Sequence, residues 1–366
     1  MTSEAVVRRR DPQVTEAAAG HALLLAPSRG LGGGIERYVE TVAAAFADQG
    51  VACRRLDLAR PGPGGQRALL AAAADALSRT AEPTRAIVAH PALLPVAALL
   101  ARKHLVSGIS VICHGSDVWG RRSRPRWQLE SLLMRRGDVR IVAVSSFTAG
   151  ALFPGAQATI LPPGLSGAWF GELVRASTAG HPPRTGLKLT TAFRLGDWRD
   201  KGLPQLIAAI TALQRPDVRL AVCGSGTPPP DLLALVGGHP WCTMRPDLTD
   251  RELAAQLASS DLFVLATRTR SGQLPCGEGF GLVLLEAQVA GTAVVGPAYG
   301  GSSDAYLDGV TGATPRGESV AALAQVLDAL ARQPDQLSAM GARGAAWARE
   351  RFAPGRYAAL AVDRLL

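Results

Sequence analysis

Two carboxylates, Glu278 and Glu286, stand eight residues apart in the run EGFGLVLLE. Glu278 precedes a glycine-rich turn into a helix, which aims its carboxylate at a cleft beside the exposed N–H groups of Gly279, Phe280 and Gly281. Glu286 falls inside that helix, flanked by Leu282, Leu285, Ala287 and Val289. A glutamate in so apolar a setting is costly unless it is paired or hydrogen-bonded, and the two hydroxyls of a ribose are suitable partners. Each has a plainer reading. Glu278 could be a carboxylate favoured by the helix dipole, and Glu286 the exposed stripe of a half-buried helix.

Cations complete the pattern. Arg194 directly follows the run GLKLTTAF, and Lys201 comes seven residues later, just before Gly202 and a helix. Two positive charges at the mouth of a strand can neutralise a diphosphate leaving group. Lys201 stands out because only three of the 39 basic residues are lysines, the others being Lys103 and Lys188.

Further candidates lie in the amino-terminal half. His114 opens HGSDVWG at the carboxyl end of SVIC and projects toward a cleft; Asp117 and Trp119 could complete a sugar-binding surface, since aromatic faces stack on sugar rings. Arg121, Arg122, Arg124 and Arg126 follow, as a grip for an acceptor phosphate or lipid head group, or as a solvated loop. The loop SRGLGGG ends in Gly33 and Gly34, where bare backbone can approach a ligand and the helix behind favours an anion. Asp57 ends the next strand where a dinucleotide's ribose ligand would sit, so an NAD-dependent oxidoreductase using the glycine-rich loop 30–34 is an alternative. Ile35 stands where the third glycine of that fingerprint belongs.

The elements that must position these residues alternate along the chain. HALLLAP, VACRRLDL, RAIVAH, SVICHG and RIVAVS read as strands. IERYVETVAAAFADQG reads as a helix, with apolar spacing at Ile35, Val39, Val42 and Phe46 and a stop at Gly50. From Pro154 to about Pro183 the chain holds prolines, glycines and few apolar runs, which puts a domain boundary near residue 182. A second alternating set follows, with strands GLKLTTAF, RLAVCG, CTMR, DLFVLA and TAVVG and helices GLPQLIAAITAL, ELAAQLASS and LVLLEAQVAG. The fold class is therefore α/β, with two Rossmann-like doubly wound domains and a ligand in the cleft between them. Residues 1–20 are polar and alanine-rich and are expected to be disordered.

Composition narrows the function classes. The 366-residue chain carries a net charge of +9, which suits nucleic acid, anionic membrane or phosphorylated ligands. Its arginine bias, with few lysines and no interleaved aromatics, argues against nucleic acid as a partner. Five cysteines without a CxxC fit a reduced intracellular protein rather than a disulfide scaffold or zinc site. No signal peptide pattern or membrane-length apolar run occurs, so the expected location is cytoplasmic, with peripheral contact at the inner membrane face compatible.

The ordered set GGG loop, HGSD, SSFTAGAL, LPPG, FRL…KG, CGSG, EGFGLVLLEA and GG…DG.TG resembles family 4 of the retaining glycosyltransferases, over nearly the whole chain. The resemblance implies the GT-B fold. Residues 21–182, with the returning segment 352–366, would form the acceptor-side domain, and 183–351 the nucleotide-sugar domain. Gly33 and Gly34 would lie near the diphosphate and acceptor, Arg194 and Lys201 would bind the pyrophosphate, and Glu286 the ribose. The backbone of Phe280, Gly281 and Leu282 would support the phosphates. His114 and Glu278 would contact the donor sugar at the reacting centre. The implied co-substrate is a UDP- or GDP-sugar, with no metal and no other cofactor. The implied outcome is retention through front-face attack on the anomeric carbon, in which the leaving phosphate accepts the proton of a small-molecule or lipid-linked acceptor. There are departures: the Arg194–Lys201 spacing is longer than the usual form, and Asp304 stands where a glutamate is usual. The run ATRTRSGQLPCGEGFG is also long, and resembles phosphatidylinositol mannosyltransferases. Antibiotic-decorating enzymes share the same framework, so natural-product and envelope glycolipid synthesis both fit.

Overall fold

The computed structural model describes residues 20–27, 34–119, 124–178, 186–270 and 277–366. Residues 1–19 of the expected tail, Gly33, Arg121, Arg122 and the expected boundary at 182–183 lie outside these.

Strands β1 (His21–Ala26), β2 (Ala52–Asp57), β3 (Thr84–Val88), β4 (Gly108–Cys113), β5 (Val139–Ala143) and β6 (Ala158–Ile160) form a parallel sheet in the order β2-β1-β3-β4-β5-β6. Between them run α1 (Gly34–Asp48), α2 (Pro63–Ser78), α3 (Leu94–Arg102), α4 (Ser116–Trp119), α5 (Arg124–Met134) and α6 (Ser146–Gly150). Helix α7 (Gly167–Thr178) then leads to the second sheet. Its strands are β7 (Leu187–Ala192), β8 (Val218–Gly224), β9 (Cys242–Pro246), β10 (Leu262–Val264), β11 (Ala293–Val295) and β12 (Gly312–Ala313), parallel and ordered β12-β11-β10-β7-β8-β9. The accompanying helices are α8 (Leu203–Ala212), α9 (Pro230–Gly237), α10 (Asp250–Ala258), α11 (Leu282–Val289), α12 (Val320–Ala331), α13 (Pro334–Arg351) and α14 (Pro354–Leu365).

The strands are short apolar runs because helices cover both faces; every residue of β4 is buried. Each fully buried leucine or isoleucine in them contributes roughly 1.5–3 kcal/mol. In each sheet the strand order reverses once, between β1 and β3 and between β7 and β10. At such a point adjacent connections leave to opposite faces and open a crevice at the strands' carboxyl ends.

The segment from Pro154 to about Pro183, in which no element was expected, holds β6 and α7. Trp169 and Leu173, one helical turn apart, are the buried stripe of α7. Helix α14 lies against α1 and the first sheet: Ser110 Oγ donates to the Leu365 carbonyl at 2.8 Å, and the Tyr357 ring lies flat against Gly164. One apolar core runs from α1 and α14 through α7 to α10 and α11, so the two halves share buried surface behind the cleft.

Candidate active site

The second half builds its wall at the ends of β7, β9 and β10. Arg194 leaves β7 and its Nε pairs with Asp197 Oδ2 at 3.1 Å, both side chains well exposed. The loop then folds back through Lys201 N–H to Asp197 O at 2.9 Å and reaches Gly202, at φ +71°. A Cβ at Gly202 would sit 1.9 Å from the Ala266 carbonyl oxygen, so only glycine lets this turn press against the end of β10. That approach sets Lys201, whose Nζ lies 2.9 Å from Glu278 Oε2. Thr267 Oγ1 donates to the same oxygen at 3.0 Å. Glu278 is thus a fixed carboxylate, held through one oxygen by a cation and a hydroxyl. Gly281 follows in the left-handed region at φ +81° and opens α11 with no side-chain cap, leaving first-turn N–H groups for an anion.

Glu286 sits within α11 at 1% exposure. It does not form an exposed stripe. Its Oε1 accepts from Arg37 Nη1 at 2.8 Å and from Trp169 Nε1 at 3.1 Å. Arg37 belongs to α1, which starts at Gly34 directly after the glycine-rich loop.

The first half faces this wall with backbone. His114 Nε2 lies 2.8 Å from the Ala89 carbonyl oxygen, which can only accept, so Nε2 carries the proton. Tyr38 meets the imidazole edge-on at 5.1 Å. Burial holds the His114 pKa below its ordinary value, outweighing the opposite effects of Asp117 and the Ala89 carbonyl. The carboxylate of Asp117 is buried and accepts from the N–H groups of His114 (2.9 Å) and Gly115 (2.6 Å). Trp119 lies edge-on to Phe147 at 5.2 Å.

The halves meet where glycines allow. A Cβ at Gly279 would lie 2.0 Å from the His114 carbonyl oxygen, and one at Gly301 1.9 Å from the Gly279 oxygen and 2.4 Å from Ser145 Oγ. Beside them Asp304 accepts from Ser146 N–H and Oγ at 2.6 Å each, joining the GG loop to the start of α6.

A cleft of about 290 Å³ results. Gly34, Arg194, Lys201, Glu278, Gly281, Leu282 and Glu286 line it together. His114, Asp117, Trp119 and Phe280 do not; Phe280 is buried against Phe352. Arg37, Asp197 and Asp247 also line the cleft, and sequence reasoning missed all three. Cys223 lines it too, but burial pushes its thiol up to about 12, so it is no thiolate at neutral pH. Asp57, the candidate dinucleotide ligand, pairs with Arg55 at 2.8 Å on the edge strand β2. Among the described residues no three His, Cys, Asp or Glu side chains gather as a metal site, and no helix is long and apolar enough to cross a membrane.

Known proteins resemble this chain in sequence and in fold. The family described as glycosyl transferases group 1 matches residues 187–333. A GDP-mannose-dependent α-(1-6)-phosphatidylinositol monomannoside mannosyltransferase of Mycolicibacterium smegmatis is 30% identical over 280 residues, 70% of either chain. A glycogen synthase of Mycobacterium tuberculosis is 32% identical over 262 residues, 68% of this chain and 59% of that one. Anabaena HepE, solved in complex with UDP and glucose, superimposes with a TM-score of 0.71 at 17% identity, over 93% of this chain and 98% of its own. Sucrose-phosphate synthase from Thermosynechococcus elongatus gives 0.74 at 18% identity, over 94% and 98%.

Proposed function

The chain belongs to the group 1 glycosyltransferases, with their GT-B fold, and from that premise we propose that it transfers mannose from GDP-mannose to a hydroxyl of an inositol-bearing lipid, with retention of anomeric configuration. It is a nucleotide-sugar-dependent hexosyltransferase; the donor, acceptor and stereochemistry are the proposal.

The observation that carries the reading is the order of charged groups along the second sheet. Strands β10-β7-β8-β9 lie side by side, so Asp247 stands past β9, Arg194 and Lys201 past β7, and Glu278 in the loop after β10. A nucleoside diphosphate sugar has the same order of parts: base, diphosphate, sugar. Asp247 supports guanine. It is held at φ +49° with Oδ1 accepting from Gly226 N–H at 3.0 Å, and its carboxylate suits the adjacent N1–H and amino donors of guanine. Uracil offers one donor between two carbonyls. The lipid acceptor rests on the mannosyltransferase relatives and on the loop resemblance at 266–281.

In this reading Glu286 anchors the ribose, and Arg194, Lys201 and the start of α11 take the charge that grows on the diphosphate. The acceptor oxygen attacks the anomeric carbon on the face the diphosphate leaves. The carbon–oxygen bond to phosphate breaks, the new glycosidic bond forms, and the acceptor's proton passes to the departing phosphate oxygen. Glu278, already bound to Lys201 and Thr267, stabilises positive charge on the sugar. The test is turnover of GDP-mannose against UDP-glucose with phosphatidylinositol as acceptor, the product's anomeric configuration being read by NMR. A clear preference for UDP-glucose, or an inverted product, would overturn it.

A further inference from the structure

Glu286 is fixed from outside its own half. Both donors to Oε1 come from elsewhere: Arg37 from the first turns of α1, and Trp169 from α7, between the two sheets. Oε2 accepts no hydrogen bond among the described residues, while Glu286 and Arg37 both line the cleft. The last torsion of a glutamate is broad, so an unheld carboxylate samples many planes. Two donors on one oxygen fix the plane and leave the other oxygen to a ligand. One of them is charged, which makes that bond the stronger.

We propose that Arg37 and Trp169 are positioning residues of the nucleotide site: they clamp Glu286 through Oε1 so that Oε2 meets the vicinal hydroxyls of the ribose. The ribose anchor of the second half is then complete only when α1 and α7 are docked against α11, which ties nucleotide binding to closure of the two halves. This rests on the assignment of Glu286 to the ribose. It adds that the anchor's strength is set by the two donors held against Glu286 Oε1 and not by Glu286 alone.

The experiment is a calorimetric titration of GDP and 2′-deoxy-GDP into the wild type, Glu286→Gln, Arg37→Met, Arg37→Lys and Trp169→Phe. The wild type should favour the ribonucleotide, and Glu286→Gln should remove that preference. Arg37→Met and Trp169→Phe should each weaken GDP about tenfold, the equivalent of one lost charge-assisted contact, and barely change 2′-deoxy-GDP. Arg37→Lys should recover part of the difference, because a cation returns without the guanidinium geometry. A purely structural role would weaken both ligands equally. If Arg37→Met and Trp169→Phe keep the wild-type ratio while Glu286→Gln loses it, the clamp is wrong and the ribose anchor stands. If Glu286→Gln keeps the ratio, or the wild type shows no preference, the ribose assignment fails and the clamp with it. Arg37 is half exposed, so its methionine variant keeps the core intact and carries the test should Trp169→Phe fail to fold.

Discussion

Across the cleft, two similar layers offer different chemistry. The ends of β7, β9 and β10 present Arg194, Lys201, Asp247 and Glu278 as side chains, with Glu286 behind them on α11. The first half presents Gly34 at the start of α1, with the His114 turn set back from the cleft, where Asp117 is already occupied by two backbone N–H groups. The same alternation of strand and helix thus yields one charged wall and, facing it, a wall to which the first half contributes little beyond Gly34 and Arg37 among the described residues. Under the proposed function the difference becomes a division of labour: the second half would hold the donor, and the first half would close over it and shape what approaches. Arg37 is the exception, a first-half cation committed to a second-half carboxylate.

That division can be broken or sharpened by substitution. Glu286→Ala should have the largest effect, abolishing nucleotide binding by calorimetry, since it removes the anchor and leaves Arg37 and Trp169 without their acceptor. Lys201→Ala should cost on the order of 2–4 kcal/mol of transition-state stabilisation, read as a fall in kcat with KM for the acceptor little changed. Gly279→Ala should act on closure rather than on charge. The new Cβ falls 2.0 Å from the His114 carbonyl oxygen, so turnover and GDP affinity should fall together, because the Glu286 clamp forms only when the halves close; an unchanged GDP affinity would undo the assignment of closure to this contact. Asp247→Asn should lower the ratio of GDP to UDP affinity by roughly tenfold, as expected when one carboxylate–donor pair is exchanged for an imperfect one.

The smallest effect concerns pH. Burial lowers the His114 pKa in the folded protein from its ordinary 6.5. The unfolded chain therefore binds this proton more readily, so the contribution to stability is present above about pH 6.5 and is lost as pH falls through the folded value. His114→Gln should flatten the decline in Tm as pH falls below about 6.5. An unchanged slope would mean that other groups govern the acid limb.

Much of this was legible in the sequence. Apolar runs stopped by glycine revealed the parallel strands, because a strand covered on both faces has no polar alternation to hide it. Glu286 was conspicuous as a charge inside an apolar helix. Its partners were not, for Arg37 lies 249 residues away and looks like one more arginine in an arginine-rich chain. Trp169 was hidden because the prolines and glycines around it masked the helical spacing of α7. Asp117 shows the reverse case: residue type and position suggested a sugar contact, but the turn it sits in has backbone donors of its own to satisfy. Local pattern reports what an element is; it does not report which distant group an element has been folded to meet.

Helix α14 has a consequence in time. It covers α1 and ties its last carbonyls to Ser110 and Arg140 of the first sheet, although some 175 residues of second-half chain lie between the two. A ribosome that has released β1 through α7 has therefore made a half whose apolar flank still lacks its cover. At a typical rate of about 5–20 residues per second, that surface waits on the order of ten seconds or more for residues 354–365 to emerge. The interval is a window for chaperone capture or for misassembly, and its length is set by translation speed through the second half rather than by anything in the first.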